Sequence, residues 1–141
     1  MSALASASEH DIPKIIDLWT RAGLVRPWND PDLDITFALK SPNADILIWR
    51  DEDAISASVM VGHDGHRGVV YYLAVDPDQQ GNGIGAKIMK AAENWLIGQG
   101  IWKLNLMIRS DNQAVQKFYQ AIGYETEDRI VMSRRLKASD T

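Results

Sequence analysis

The stretch from Tyr71 to Lys90 limits what this chain can become more than any other. An apolar run, Tyr71-Tyr72-Leu73-Ala74-Val75, leads through the turn Asp76-Pro77-Asp78 into Gln79-Gln80-Gly81-Asn82-Gly83-Ile84-Gly85-Ala86, which opens a long amphipathic segment. This reads as strand, glycine loop and helix start. Glycines at alternate positions let the backbone approach a ligand closely. The helix that follows offers N–H groups without intrahelical partners and the positive end of its dipole. Such a junction is an anion cradle suited to a phosphate or pyrophosphate.

The elements around the cradle follow from periodicity. A short edge strand is expected at the N-terminus, then a helix in which Ser8 and Asp11 resemble a cap and Ile12, Ile15, Ile16 and Trp19 recur at helical spacing. Pro13 belongs in or near its first turn. Residues 23–31 carry two prolines and an Asn-Asp pair and read as a loop, followed by a weaker helix from Leu33 to Leu39. Residues 46–50 and 55–61 form a hairpin pattern, and Asp64-Gly65 marks the next turn before the strand that ends at Val75.

Beyond the glycines, Ile84, Ile88, Ala91, Ala92 and Trp95 share a helical face, and Gly98-Gln99-Gly100 ends the helix. Residues 102–108 alternate apolar and polar and predict a strand. Ser110 or Asp111 would cap a last helix with Val115, Phe118, Tyr119 and Ile122 on one face. A final strand is expected over residues 125–136, then a polar tail. The order is β-α-α-β-β-β-α-β-α-β, an α+β arrangement in one domain spanning residues 1–141.

Three anion-binding families use such loops. A Walker phosphate loop is excluded because no Gly-Lys-Ser/Thr follows the glycines. A dinucleotide fold formally matches Gly81-x-Gly83-x-x-Ala86, but the next strand pattern ends Met107-Ile108-Arg109 without the ribose-binding acid, and too little chain remains for a doubly wound sheet. The third reading covers far more of the chain. Val75-Asp76-Pro77 followed by Gln80-Gly81-Asn82-Gly83-Ile84-Gly85 resembles the acetyl-CoA signature Q/R-x-x-G-x-G/A of the GCN5-related N-acetyltransferases (GNAT). The segment from Asn112 to Tyr124, with Ala114, Val115, Tyr119 and Gly123, resembles that family's second hallmark. Arg26-Pro27-Trp28-Asn29-Asp30-Pro31 and Asp64-Gly65-His66-Arg67-Gly68 are similar to stretches of the uncharacterised bacterial YpeA-type branch.

The resemblance implies a mixed, mostly antiparallel sheet flanked by helices, with a splayed central strand pair. It implies that the backbone of Gly81, Asn82, Gly83, Ile84, Gly85 and Ala86 holds the CoA pyrophosphate, and that Leu73, Ala74 and Val75 pair with the pantetheine amides like an added strand. Gln80 stands where the family often has Arg, so charge pairing there gives way to a neutral hydrogen bond. Asn112 either caps the last helix or bonds the cofactor. Tyr119 matches the tyrosine that protonates the departing thiolate; its bland alternative is a core aromatic beside Phe118.

The acceptor side is less defined. The loop carrying Arg26, Trp28, Asn29 and Asp30 and the turn carrying Asp64 and His66 are the candidate substrate contacts, each with a plain reading as turn or core-covering residues. Asp30, Asp64, His63 and His66, or a water relay, are the candidate bases. Some protein-acetylating members carry a Glu on the strand after the long helix, where this chain has Met107, which weighs against a ribosomal-protein acceptor.

The implied function is acetyl transfer from acetyl-CoA to a small-molecule or protein amine by direct attack in a ternary complex. The other class compatible with the fold is a non-catalytic acyl-CoA-binding or sensing module. With no cysteine, an acyl-thioester on the protein is excluded and a cytoplasmic setting is expected. A net charge of −4 and a pI of about 5.3 argue against nucleic acid as partner. No signal-like or membrane-length apolar run is seen. No metal site is expected from His63, Asp64 and His66, which cluster on one turn without a further ligand, and homodimerisation is compatible with the family.

Overall fold

The computed structural model describes residues 2–137, so most of the expected polar tail lies outside the described residues. The chain divides after Leu106 into two compact units.

The first unit is built on a five-stranded sheet whose strands lie in sequence order. β1 (Ser2–Ser6), β2 (Ala44–Asp51), β3 (Ala54–His63) and β4 (Gly68–Val75) are antiparallel neighbours, and β5 (Leu104–Asn105) joins β4 in parallel. α1 (Ile12–Arg21) and α2 (Pro31–Lys40) connect β1 to β2, while α3 (Ile84–Gly98) connects β4 to β5. This is the mixed, mostly antiparallel α+β arrangement that the sequence pattern implies.

Local chemistry sets the helix starts. The Ser8 backbone N–H donates to Asp11 Oδ2 at 2.9 Å and holds a short 3-10 turn that hands over to α1, with Pro13 in the first helical turn. α2 begins two residues earlier than the apolar pattern suggests. Asp30 Oδ1 accepts the Asp32 and Leu33 N–H groups at 3.0 and 3.3 Å, and Pro31 occupies the first helical position, where its missing N–H costs nothing.

On one face of the sheet Ile15, Leu18 and Trp19 of α1 and Ile35 and Ala38 of α2 pack on Ile46, Ile48, Ile55 and Ala74. Leu47 lies between Ile46 and Ile48 and so faces the other way. There α3 packs against β2, β3 and β4 and buries Ile88, Met89, Ala92 and Leu96.

Two features of β4 shape the site. Ser58 pairs with Ala74 and Met60 with Tyr71, so Tyr72 and Leu73 together oppose Val59 in a β-bulge. The β4–β5 ladder consists of Gly68 with Leu104 and Val69 with Asn105 and goes no further. The strand expected over residues 102–108 is thereby reduced to two residues. Leu104, Leu106 and Ile108 are half-buried and alternate with exposed Asn105, Met107 and Arg109, but β4 offers the stretch only two ladder positions. Past that point β4 has no ladder partner on this side among the described residues.

The second unit contains α4 (Gln113–Ala121). Its cap is Asn112, neither Ser110 nor Asp111: Asn112 Oδ1 accepts the Val115 N–H at 3.2 Å. The strand expected over residues 125–136 is not formed among the described residues. Ile130, Val131, Met132 and Leu136 are all exposed, so the stretch has no apolar surface covering it.

Asp11 ties β1, α1 and β2 together. It is buried and paired with Arg50 at 2.7 Å. Burial raises its carboxyl pKa, but the Arg50 hydrogen bond and charge and the Ser8 contacts overcome this and hold it below the usual value. Its contribution is therefore present above the unfolded carboxyl pKa and lost as pH falls through the folded one. Asp11→Asn is expected to cost about 2 kcal/mol at neutral pH, read from urea unfolding, with wild type and variant converging in acid.

Candidate active site

The glycine loop and helix start expected from the sequence lie in the first unit. Gly81 and Gly83 adopt φ of +88° and +76°, a region where a side chain other than Asn or Asp is strained, and nothing lies within 4 Å of where a Cβ would stand on either. The loop therefore presents bare backbone to open space. α3 starts directly after Gly83, and its first backbone bond is Lys87 N–H to Gly83 O at 3.2 Å. The N–H groups of Ile84, Gly85 and Ala86 thus have no carbonyl four residues back within the helix. α3 has no side-chain cap and no acidic residue in its first turn, as is also true of α1, whereas α2 and α4 are capped by Asp30 and Asn112. Its positive end is left for an external anion. Gln80 and Asn82 flank the opening, and Asn82 Nδ2 donates to Gln79 Oε1 at 3.4 Å.

The approach to the cradle is fixed by Asp76. Its Oδ1 accepts the Asp78 N–H at 2.9 Å, while Oδ2 pairs with Arg21 at 2.8 Å. The Asp78 hydrogen bond first, and Arg21 second, hold its carboxyl pKa below the usual value. The Asp76 N–H donates to Ser56 O on β3 at 2.8 Å. Backbone groups alternate between strand edges, so those of Leu73 and Val75 point to the opposite edge, which β5 has already left. A free strand edge and an uncapped helix N-terminus thus adjoin in one unit, and together suit an extended amide-bearing chain ending in a pyrophosphate.

The other residues singled out in the sequence scatter. Arg26 Nη1 donates to Gly23 O at 2.7 Å and braces its own loop, while Trp28 is exposed. Asn29 reaches the Tyr72 hydroxyl. Asp30 is the α2 cap described above, which occupies Oδ1. Asp64 Oδ1 accepts the His66 and Arg67 N–H groups, both at 2.8 Å, as an Asx turn does. The Arg67 bond first, and that of His66 second, hold the Asp64 carboxyl pKa low, which makes it a poor base. The turn bearing Asp64 and His66 precedes Gly68, whereas the cradle follows Val75, so the length of β4 separates them. His63 Nδ1 accepts the Gly65 N–H at 3.0 Å. Among the described residues no three His, Asp or Glu side chains converge as a metal site would require.

Tyr119 and Asn112 belong to the second unit. Tyr119 is buried, with Phe118 and Tyr124 edge-on to its ring at 5.1 and 5.4 Å between centroids. Burial pushes its phenol pKa up to about 12, so it remains a proton donor throughout the neutral and mildly alkaline range.

Sequence reasoning missed a buried polar group beside the bulge. Tyr72 has φ +55°, and its ring stacks on Trp19 at 3.9 Å with 6° between planes. The Tyr72 hydroxyl donates to Asp34 Oδ2 at 2.7 Å, and Trp19 Nε1 donates to the buried Ser58 Oγ at 2.8 Å. Ser58 among the apolar residues of β3 was the available signal, since a buried hydroxyl needs a partner.

Comparison with known proteins agrees with this geometry. The model of the acetyltransferase (GNAT) family matches residues 12–124. The chain belongs to the GNAT acetyltransferase family. Acetyltransferase YE1169 of Yersinia enterocolitica is 43% identical over 128 residues, 91% of each chain. Acetyltransferase ECA0875 of Pectobacterium atrosepticum is likewise 43% identical over 128 residues, 91% of each. Among solved structures, the aminoglycoside acetyltransferase AAC(6')-Iy in complex with a bisubstrate analogue superposes with a TM-score of 0.82 at 14% identity, over 96% of this chain and 98% of that one. That likeness shows the fold. This GNAT protein is thus an N-acetyltransferase of a family that uses acetyl-CoA, and its activity requires an acetyl acceptor. Among the described residues no helix is long and apolar enough to cross a membrane.

Gly83→Asp tests the cradle cleanly. Asp tolerates a positive φ better than most residues, so the fold should survive, while its carboxylate would stand at the helix N-terminus where the ligand's anion belongs. Acetyl-CoA affinity, measured by titration calorimetry, is expected to fall about tenfold or more, equivalent to about 1.4 kcal/mol or more.

Proposed function

We propose that this protein, acting as a single acetyltransferase domain, moves the acetyl group of acetyl-CoA to an amine by direct attack in a ternary complex. The observation that carries the reading is the adjoining pair in the first unit: the β4 edge freed at Leu73 and Val75, and the uncapped start of α3 after Gly83. Leu73, Ala74 and Val75 pair with the pantetheine amides. The backbone from Gly81 to Ala86 takes the pyrophosphate, assisted by the side chains of Gln80 and Asn82. Asn112 positions α4 by capping it.

The thioester carbonyl lies by the outward N–H of Val75, which stabilises charge developing on its oxygen. The acceptor nitrogen attacks as the neutral amine. The carbon–sulfur bond then breaks, and the Tyr119 phenol gives its proton to the departing sulfur. Burial suits this role, because a phenol that holds its proton to about pH 12 is still a donor where amines begin to lose theirs. With Asp30 occupied in a cap, Asp64 held acidic by its turn, and His63 and His66 at the far end of β4 from the cradle, a water relay takes the proton lost by the acceptor. No cysteine is present to carry an acyl group, which supports direct transfer.

Tyr119→Phe keeps the ring and removes the proton. Free-thiol release with acetyl-CoA and a responsive amine is expected to fall by roughly a hundredfold in kcat, with acetyl-CoA affinity preserved. Wild type should show no alkaline loss of rate near pH 10, the ordinary tyrosine value, because the folded pKa lies about two units higher. An unchanged kcat in the variant would remove Tyr119 from the chemistry.

A further inference from the structure

Asp34 differs from the other well-defended carboxylates of the first unit. Asp11 is matched by Arg50 and Asp76 by Arg21, each within 2.8 Å. Asp34 is half-buried on α2, yet among the described residues it pairs with no arginine or lysine. Its partner is a phenol: Tyr72 donates to Oδ2 at 2.7 Å, and Oδ1 accepts no hydrogen bond among the described residues. A half-buried carboxylate with one oxygen fixed and the other open is complementary to a cationic donor from outside.

Its orientation is imposed, not incidental. Tyr72 is held at φ +55° in the β4 bulge by the parallel stack on Trp19, which is itself anchored to Ser58. Asn29, at the end of the α1–α2 loop, reaches the same hydroxyl. The strand residue next to Tyr72 is Leu73, whose outward backbone begins the free β4 edge. The Asp34–Tyr72 pair therefore stands at the start of that edge, on the face covered by α1 and α2.

We propose that Asp34, positioned by Tyr72, selects an acceptor that carries a second, non-reacting ammonium group. The inference rests on the acetyl-transfer reading above. A nitrogen that attacks a carbonyl must be free of its extra proton, and a carboxylate paired with it would hold that proton in place. Asp34 is accordingly suited to a charge elsewhere on the acceptor, so that diamines and polyamines are preferred over monoamines of the same chain length. The open Oδ1 takes one ammonium proton, and Tyr72 prevents the carboxylate from turning away.

The test compares putrescine and spermidine with n-butylamine and the uncharged butane-1,4-diol, by titration calorimetry on the whole protein with and without acetyl-CoA. Wild type should bind the dication and trication and prefer them to the monoamine, with no binding of the diol. Asp34→Asn should weaken polyamine binding by about ten- to a hundredfold and leave acetyl-CoA affinity unchanged. Tyr72→Phe, which keeps the ring and loses the hydroxyl, should show a smaller loss of the same kind. Asp32→Asn, an equal charge change at an exposed position on the same helix, should leave polyamine binding unaltered. Equal polyamine affinity in wild type and Asp34→Asn, an equal loss in Asp32→Asn, or no polyamine binding by wild type would each overturn the proposal. Failure of wild type to bind acetyl-CoA would instead overturn the donor-site reading, which this comparison measures separately.

Discussion

The bulge that turns β4 depends on one aromatic stack. Tyr72 lies in the left-handed region at φ +55°, a conformation that costs a residue with a Cβ about 1–2 kcal/mol. Its ring lies flat on Trp19 at 3.9 Å, and its hydroxyl donates to the Asp34 carboxylate. An aromatic pair contributes about 0.5–1.5 kcal/mol beyond the area it buries. A hydrogen bond to a charged group adds roughly 1.5–3 kcal/mol. The contacts outweigh the strain, so the bulge persists, and β4 changes the direction of its backbone groups at the bulge. Beyond Val69 it has no strand neighbour on its β5 side among the described residues.

Around that stack the charges are arranged in two ways. Two carboxylates that support the scaffold are answered by arginines, Asp11 by Arg50 and Asp76 by Arg21. Two other places lack such a complement. α3 begins without a capping side chain or a first-turn acid, and Asp34 has a phenol in place of a cation. α2 and α4 have side-chain caps, whereas the start of α3, directly after the glycine loop, keeps bare N–H groups.

Much of this was legible in the sequence because it rests on local rules. Alternating glycines before an apolar helical stripe fix the cradle whatever surrounds it, and the β2–β3 and β3–β4 hairpins follow from their turns. The start of α2 was obscured because Pro31 reads as a helix breaker until Asp30 is recognised as its cap. The alternating stretch from 102 to 108 promised a full strand, but strand length is set by the partner, and β4 pairs at two positions only. The expected strand over 125–136 failed for a related reason: it has no strand partner among the described residues, and Ile130, Val131 and Met132 stand exposed. Tyr72 and Asp34 were invisible for want of spacing: they are thirty-eight positions apart and meet only through the bulge.

The central claim is that the β4 edge and the α3 N-terminus form one donor site. Its most direct test is amide chemical-shift mapping of the nitrogen-15-labelled protein during titration with acetyl-CoA. The account predicts that the largest changes fall on Leu73 and Val75 and on the amides of Gly81 through Ala86. Changes confined to other parts of the chain, with these amides unmoved at saturation, would contradict it.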